Sequence, residues 1–181
     1  KSSAASDVYK RQVFAWIMAL ILHLQPEEFF SLNIGNITHL ILRLIASFCG
    51  VFGFSIMFNS SIPMAATTAV IGAIANTLRL ELVDFTAIPA AAAAFIGAVT
   101  AGLLASFIKK YNGYPRISLT VPSIVIMVPG LYLYRAIYNF GIMSLTEAVS
   151  WFTSAVMIII ALPLGLIFAR IITDRTFRYC T

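Results

Sequence analysis

What most limits the folds open to this chain is a series of apolar runs separated by short polar gaps. A helix rises about 1.5 Å per residue, so about 20 apolar residues cross a hydrocarbon core about 30 Å thick. Runs of that length cover residues 37–58, 85–108, 118–140 and 148–171, with a shorter one at 63–78. Of the 181 residues, 60% are hydrophobic and only 10% are charged, where a soluble domain carries about 25% charged residues. A water-soluble fold would lack the polar surface to cover its core. In lipid the exterior can be apolar as well. The sequence therefore predicts an all-α polytopic membrane protein of about five transmembrane helices, with the lipid bilayer as its first partner.

The net charge of +5 does not point to nucleic acid. The charges collect in the gaps and at the C-terminus, and no basic face with stacking aromatics is present. Cys49 and Cys180 form no CxxC pair, and Cys49, in an apolar run, reads as a small buried hydrophobe. His23 and His39 have no partners at metal spacing. No GxSxG, P-loop, HExxH or GxGxxG motif occurs, and the runs hold almost no ionisable groups to converge on a reaction. The chain is expected not to be an enzyme, and no metal or cofactor is expected.

Residues 1–12 are set apart. Asp7-Val8-Tyr9-Lys10-Arg11-Gln12 resembles the translation of a transposase adapter used in sequencing libraries. The native reading frame is expected to begin near Val13, with its upstream part missing. The apolar run 13–24 is short for a span and reads as the last part of a truncated preceding helix, a re-entrant piece being the alternative. Gln25-Pro26-Glu27-Glu28 ends it, and a connector leads to residue 36.

The first full run, 37–58, carries one charge, Arg43, placed to snorkel; Asn36 or Thr38 would cap it. Asn59-Ser60-Ser61-Ile62-Pro63 reads as a turn. The second run, 63–78, contains Gly72 and Asn76, and Arg79, Glu81 and Asp84 are read as the gap after it. In the third, 85–108, Ala93, Gly97 and Ala101 repeat at four-residue spacing, as do Ala94, Ala98 and Gly102. Such stripes let another helix approach closely. The fourth run, 118–140, is interrupted by Pro122 and by Pro129-Gly130, and the fifth, 148–171, contains Pro163 and Gly165. Asn76 and Thr100 are expected to form interhelical hydrogen bonds. Tyr132, Tyr138, Trp16 and Trp151 read as interface anchors.

Helices alternate sides, which sorts the gaps into two groups. One holds Lys109, Lys110 and Arg116 with the tail residues Arg175 and Arg178, and Arg170 at its edge. The other has Arg79 against Glu27, Glu28, Glu81, Asp84 and Glu147. The positive-inside rule puts the first group, including the basic tail 173–181, in the cytoplasm.

The segment with most chemical potential surrounds Pro129-Gly130. Proline removes a backbone donor and clashes with the preceding turn. At membrane depth the freed groups must be satisfied by protein or by a wet cavity. Broken helices of this kind bind small polar substrates in many transporters. Pro122, Pro129 and Gly130 would shape the site. Tyr134 would offer a hydroxyl and Arg135 a cation for a carboxylate; the alternatives are that Arg135 snorkels and that the prolines are plain packing kinks. Asn59 and Asn76 are secondary candidates. The residues by themselves indicate a transporter component without naming its substrate.

Two motifs extend this reading. Phe52-Gly53-Phe54-Ser55-Ile56-Met57-Phe58-Asn59 and, later, Val128-Pro129-Gly130 followed by Tyr134-Arg135 resemble the GFxxxFN and PG…YR signatures of the threonine/serine exporter family, in the smaller of its two membrane parts. The resemblance covers 36–172. It implies export of small amino acids by proton-coupled secondary transport in the bacterial inner membrane. It also implies a missing N-terminal membrane part or a partner subunit. A dicarboxylate exporter subunit and a non-transporting scaffold are the alternatives, and self-association stays open.

Overall fold

The computed structural model of the chain describes residues 35–174 except Ala87, together with Phe14, Ile17, Met18 and Ile21. The adapter-like residues 1–12, Trp16, the connector up to residue 34 and the tail beyond Asp174 lie outside the described residues, as does most of the run 13–24. In the described stretch 35–174 six helices follow in order: α1 (Asn36–Met57), α2 (Ile62–Phe85), α3 (Ala90–Asn112), α4 (Arg116–Val125), α5 (Gly130–Gly141) and α6 (Leu145–Thr173). There is no strand among the described residues. Helices α1, α2, α3 and α6 are each long and apolar enough to cross a membrane, and α4 with α5, bent by 41° at a short break, bring the candidate spans to five when that pair is counted as one. This is an all-helical, multi-pass membrane fold.

Local chemistry accounts for the boundaries. Asn59 ends α1 with φ 60°, a left-handed conformation that asparagine tolerates better than most residues. Pro63 sits in the first turn of α2, where its missing amide costs nothing. Gly113, at φ 67°, caps α3, and its amide donates to the Lys109 carbonyl at 3.1 Å. Lys109 and Lys110 lie in that last turn, at the negative end of the helix dipole. Gly35, rather than a side chain of Asn36 or Thr38, stands at the start of α1.

Several expectations need correction. Helix α2 continues past Leu78 to Phe85, so Arg79, Glu81 and Asp84 belong to a helix and not to a gap. The charges are accommodated there because Arg43 of α1 reaches across. It pairs with Glu81 at 3.0 Å and also with Asp84, and so does not simply snorkel. Pro122 does not interrupt its helix; it is buried inside α4, where one ladder bond is lost in a short segment. Pro163 is likewise carried within a continuous α6. Thr100 bonds back to the Ile96 and Gly97 carbonyls of its own helix, the local alternative open to any helical threonine. Cys49 is exposed, on the outward face of α1, where an apolar residue can meet lipid.

The interior is built from small residues and the exterior from large ones. Ala93, Ala94, Ala98, Ala101 and Ala105 of α3 are fully buried, while Ile45, Phe107, Ile160 and Leu164 point outward. The tightest seam joins α3 to α6. A Cβ on Gly165 would lie 2.7 Å from Ala98 Cβ and 2.7 Å from the Phe95 carbonyl. A Cβ on Gly102 would lie 2.6 Å from Ala169 Cβ. Ala98 and Gly102 thus mate with Gly165 and Ala169, two parallel ridges with the same four-residue step. Lacking a hydrophobic drive between helices in lipid, such contact gains its stability from close packing.

Candidate functional site

The fourth span breaks between Val125 and Gly130, at the middle of its length. The ladder there is rewired. The Met127 amide donates to Ile124, the Val128 amide to Val125 and the Gly130 amide to Val128, before α5 resumes with Leu133 donating to Pro129. In a continuous helix the Met127 carbonyl would accept from the amide of Leu131. At the break it accepts Arg79 Nη1 at 3.1 Å.

Arg79 is therefore an interior cation. It lies six residues short of the end of α2, about 9 Å along the helix axis. Its Nε is buried with no hydrogen-bond partner, and no carboxylate pairs with it among the described residues. Room for it comes from α3: a Cβ on Gly97 would lie 3.2 Å from Arg79 Cβ and 3.3 Å from Met127 Sδ. Placing an arginine at membrane depth costs up to about 2.5–3.5 kcal/mol on insertion scales, the full figure applying at a helix centre. A hydrogen bond from a charged group to a carbonyl returns about 1.5–3 kcal/mol. The guanidinium is thus held in place with donor capacity left over.

Below it, a polar seam runs between α1, α2 and α4. Asn76 Nδ2 donates to Ser47 Oγ at 2.9 Å, the interhelical bond expected of it. The Ser123 hydroxyl lies 2.5 Å from its own Leu119 carbonyl and 3.2 Å from the Thr68 carbonyl of α2. Ser55 Oγ, Asn76 Oδ1 and Thr77 Oγ1 are buried without partners among the described residues. Natural interiors leave few polar atoms unsatisfied, and those that remain call for an explanation such as a ligand or water. Asn76 and Arg79 are three residues apart, on neighbouring positions of one helix face.

The predicted residues are only partly gathered. Pro129 and Gly130 form the break, with Asn76 one turn from Arg79. Arg135 projects from α5 toward α6, where its guanidinium lies 4.7 Å from the centre of the Trp151 ring. Tyr132 meets the same ring edge-on at 5.5 Å. Tyr134 is 38% exposed and stacks on Tyr138. Pro122 is buried in α4, and Asn59 is exposed in the turn after α1. Sequence reasoning missed Arg79 because α2 was ended too early. Extending the run to Phe85 would have exposed the i, i+3 pairing with Asn76.

The sequence profile of the family described as "Threonine/Serine exporter, ThrE" matches residues 43–172, which include α2 to α5 entirely and most of α1 and α6. No curated protein and no solved structure matches the chain.

Proposed function

The chain belongs to the threonine/serine exporter family, and on that premise we propose that a small hydroxy amino acid is held at the break in the fourth span during export. The observation that carries this is Arg79 at the Met127 carbonyl, with an unpartnered Nε. Arg79 receives the substrate carboxylate. The carbonyls around Pro129-Gly130 face the ammonium group, and the hydroxyls of the adjoining seam suit a polar side chain. Arg135 and Tyr134 line the approach on the α5 side, and Arg135 is a second contact rather than the main one. Exchange between the two faces would occur by rocking one helix group against another around this point.

The proposal includes coupling to the proton gradient, residence in the bacterial plasma membrane with the C-terminus cytoplasmic, and completion of the transporter by a second membrane part or partner subunit. A scaffold would present the small-residue stripe of α3 to a partner helix, but that stripe is occupied within the chain by α6, which favours transport. A dicarboxylate would bind the same guanidinium, so substrate choice is tested directly.

The experiment is flux from proteoliposomes containing the complete exporter, with threonine, serine and succinate offered in turn, with and without a proton ionophore. Losing one partner of a buried charge pair costs about 2–5 kcal/mol, so Arg79→Gln should weaken threonine handling roughly 30-fold or more. Arg135→Ala should have a smaller effect. Wild-type flux from a correctly inserted Arg79→Gln protein rejects the site, and a preference for succinate rejects the substrate.

A further inference from the structure

A second cluster of charge lies far from the break, where α3 and α6 end and α4 begins. There Lys109, Arg116 and Arg170 line a cleft of about 320 Å³, with Asp174 as its one carboxylate among the described residues. Arg116 is held in place: its Nη2 lies 3.4 Å from the Gly102 carbonyl, on the α3 ridge that packs against Ala169. Arg170 is steadied by Asp174, 3.9 Å away and one turn on. The remaining walls are apolar, from Ile117, Leu166 and Ile167. Ile117 and Ile167 are exposed on the outward face, so the cleft opens sideways along the apolar exterior as well as toward the helix ends.

We propose that this cleft binds a phosphate group, as presented by an anionic phospholipid or by free phosphate. Three cations against one carboxylate leave a net attraction for an anion, and guanidinium forks match phosphate oxygens in geometry. The placement suits a headgroup: cations at the span ends and apolar side chains directly beside them, where acyl chains would lie. Basic pockets between transmembrane helices recognise anionic headgroups for this reason. The carboxylate of Asp174 and the C-terminal ends of α3 and α6 oppose an anion, so binding depends on all three cations.

The test uses the complete exporter, purified in mild detergent and checked for monodispersity. Native mass spectrometry reads retention of phosphatidylglycerol against phosphatidylcholine, and a separate titration with inorganic phosphate reads protection from thermal aggregation. Arg116→Gln/Arg170→Gln should lose the phosphatidylglycerol adduct by about 30-fold. Lys109→Gln should weaken it less and leaves the Arg116 contact with Gly102 intact, which guards against misfolding of the double variant. Lys110→Gln, outside the cleft, should retain the lipid. Lipid retention that depends on these residues supports the proposal and identifies a lipid source; stabilisation by inorganic phosphate alone supports it and identifies a soluble one. Equal retention of both lipids with no response to phosphate overturns it, as does an adduct unchanged in the cleft variants.

Discussion

At the residue scale, glycines with different surroundings make a direct test of the packing. Gly72 of α2 has no space for a side chain: a Cβ there would lie 2.6 Å from Val51 Cγ2 of α1 and 3.2 Å from Ser123 Cα of α4. Gly53, in α1, has nothing within 4 Å of that position. Gly72→Ala should destabilise by about 1–3 kcal/mol through overpacking. Gly53→Ala should be neutral or gain up to about 1 kcal/mol from helix propensity. Thermal unfolding of the two variants in the same detergent separates them, and equal shifts would contradict the packing. Asn76 provides a second residue-scale measurement. Its bond to Ser47 is an interhelical contact of a kind that averages about 0.6 kcal/mol in membranes. A double-mutant cycle of Asn76→Ala and Ser47→Ala should return a coupling of that order.

At the element scale the structure depends on two features, one tight and one deliberately loose. The α3–α6 seam is tight: Gly165→Val would press a branched side chain into the Phe95 carbonyl and Ala98, and should prevent close packing of the two helices. The expected outcome is aggregation or loss of a monodisperse species on size exclusion; a well-behaved variant would mean that the seam is not close. The broken span behaves in the opposite way. Proline in a helix interior costs about 3 kcal/mol, and Pro129 stands where an uninterrupted helix would donate to Val125. Pro129→Ala should therefore raise the unfolding temperature while lowering export, because a straightened helix withdraws the Met127 carbonyl from Arg79. A variant that is both unchanged in stability and fully active would show that the break does not depend on this residue.

For the whole molecule, the charge distribution bears on orientation. The end containing Lys109, Lys110, Arg116 and Arg170 is basic, whereas the other carries Glu81, Asp84 and Glu147 with Arg43. The positive-inside rule predicts that the basic end faces the cytoplasm. In a background of Cys49→Ser and Cys180→Ser, a cysteine at Glu147 should react with an impermeant maleimide added outside intact cells, and one at Gly113 should react only after permeabilisation. The reverse pattern would invert the topology. The Arg43 contacts with Glu81 and Asp84 belong to the acidic end; the first pair is only about one-fifth exposed, so it ties α1 to α2 rather than decorating the surface.

Hydrophobic run length by itself determined the helical membrane fold, because lipid leaves backbone groups few ways to be satisfied, and Pro129-Gly130 marked the break that Pro122 does not make. The turn residues Asn59 and Pro63 marked the connection from α1 to α2 for equally local reasons. Helix ends that contain charges were not legible: Arg79, Glu81 and Asp84 look like a gap until Arg43 and the Met127 carbonyl are brought beside them. Partner choice was hidden for the same reason. Along the chain Arg135 reads equally as a snorkelling cation or as one for a carboxylate; it lies over Trp151, while Arg79 reaches the break. The small stripe on α3 was visible, but its mate, Gly165 and Ala169, became apparent only when the two helices lay in parallel register. A side chain's type and spacing are local properties; its compensation by a charge, carbonyl or ring comes from chain segments tens of residues away, and only packing of the bundle brings them together.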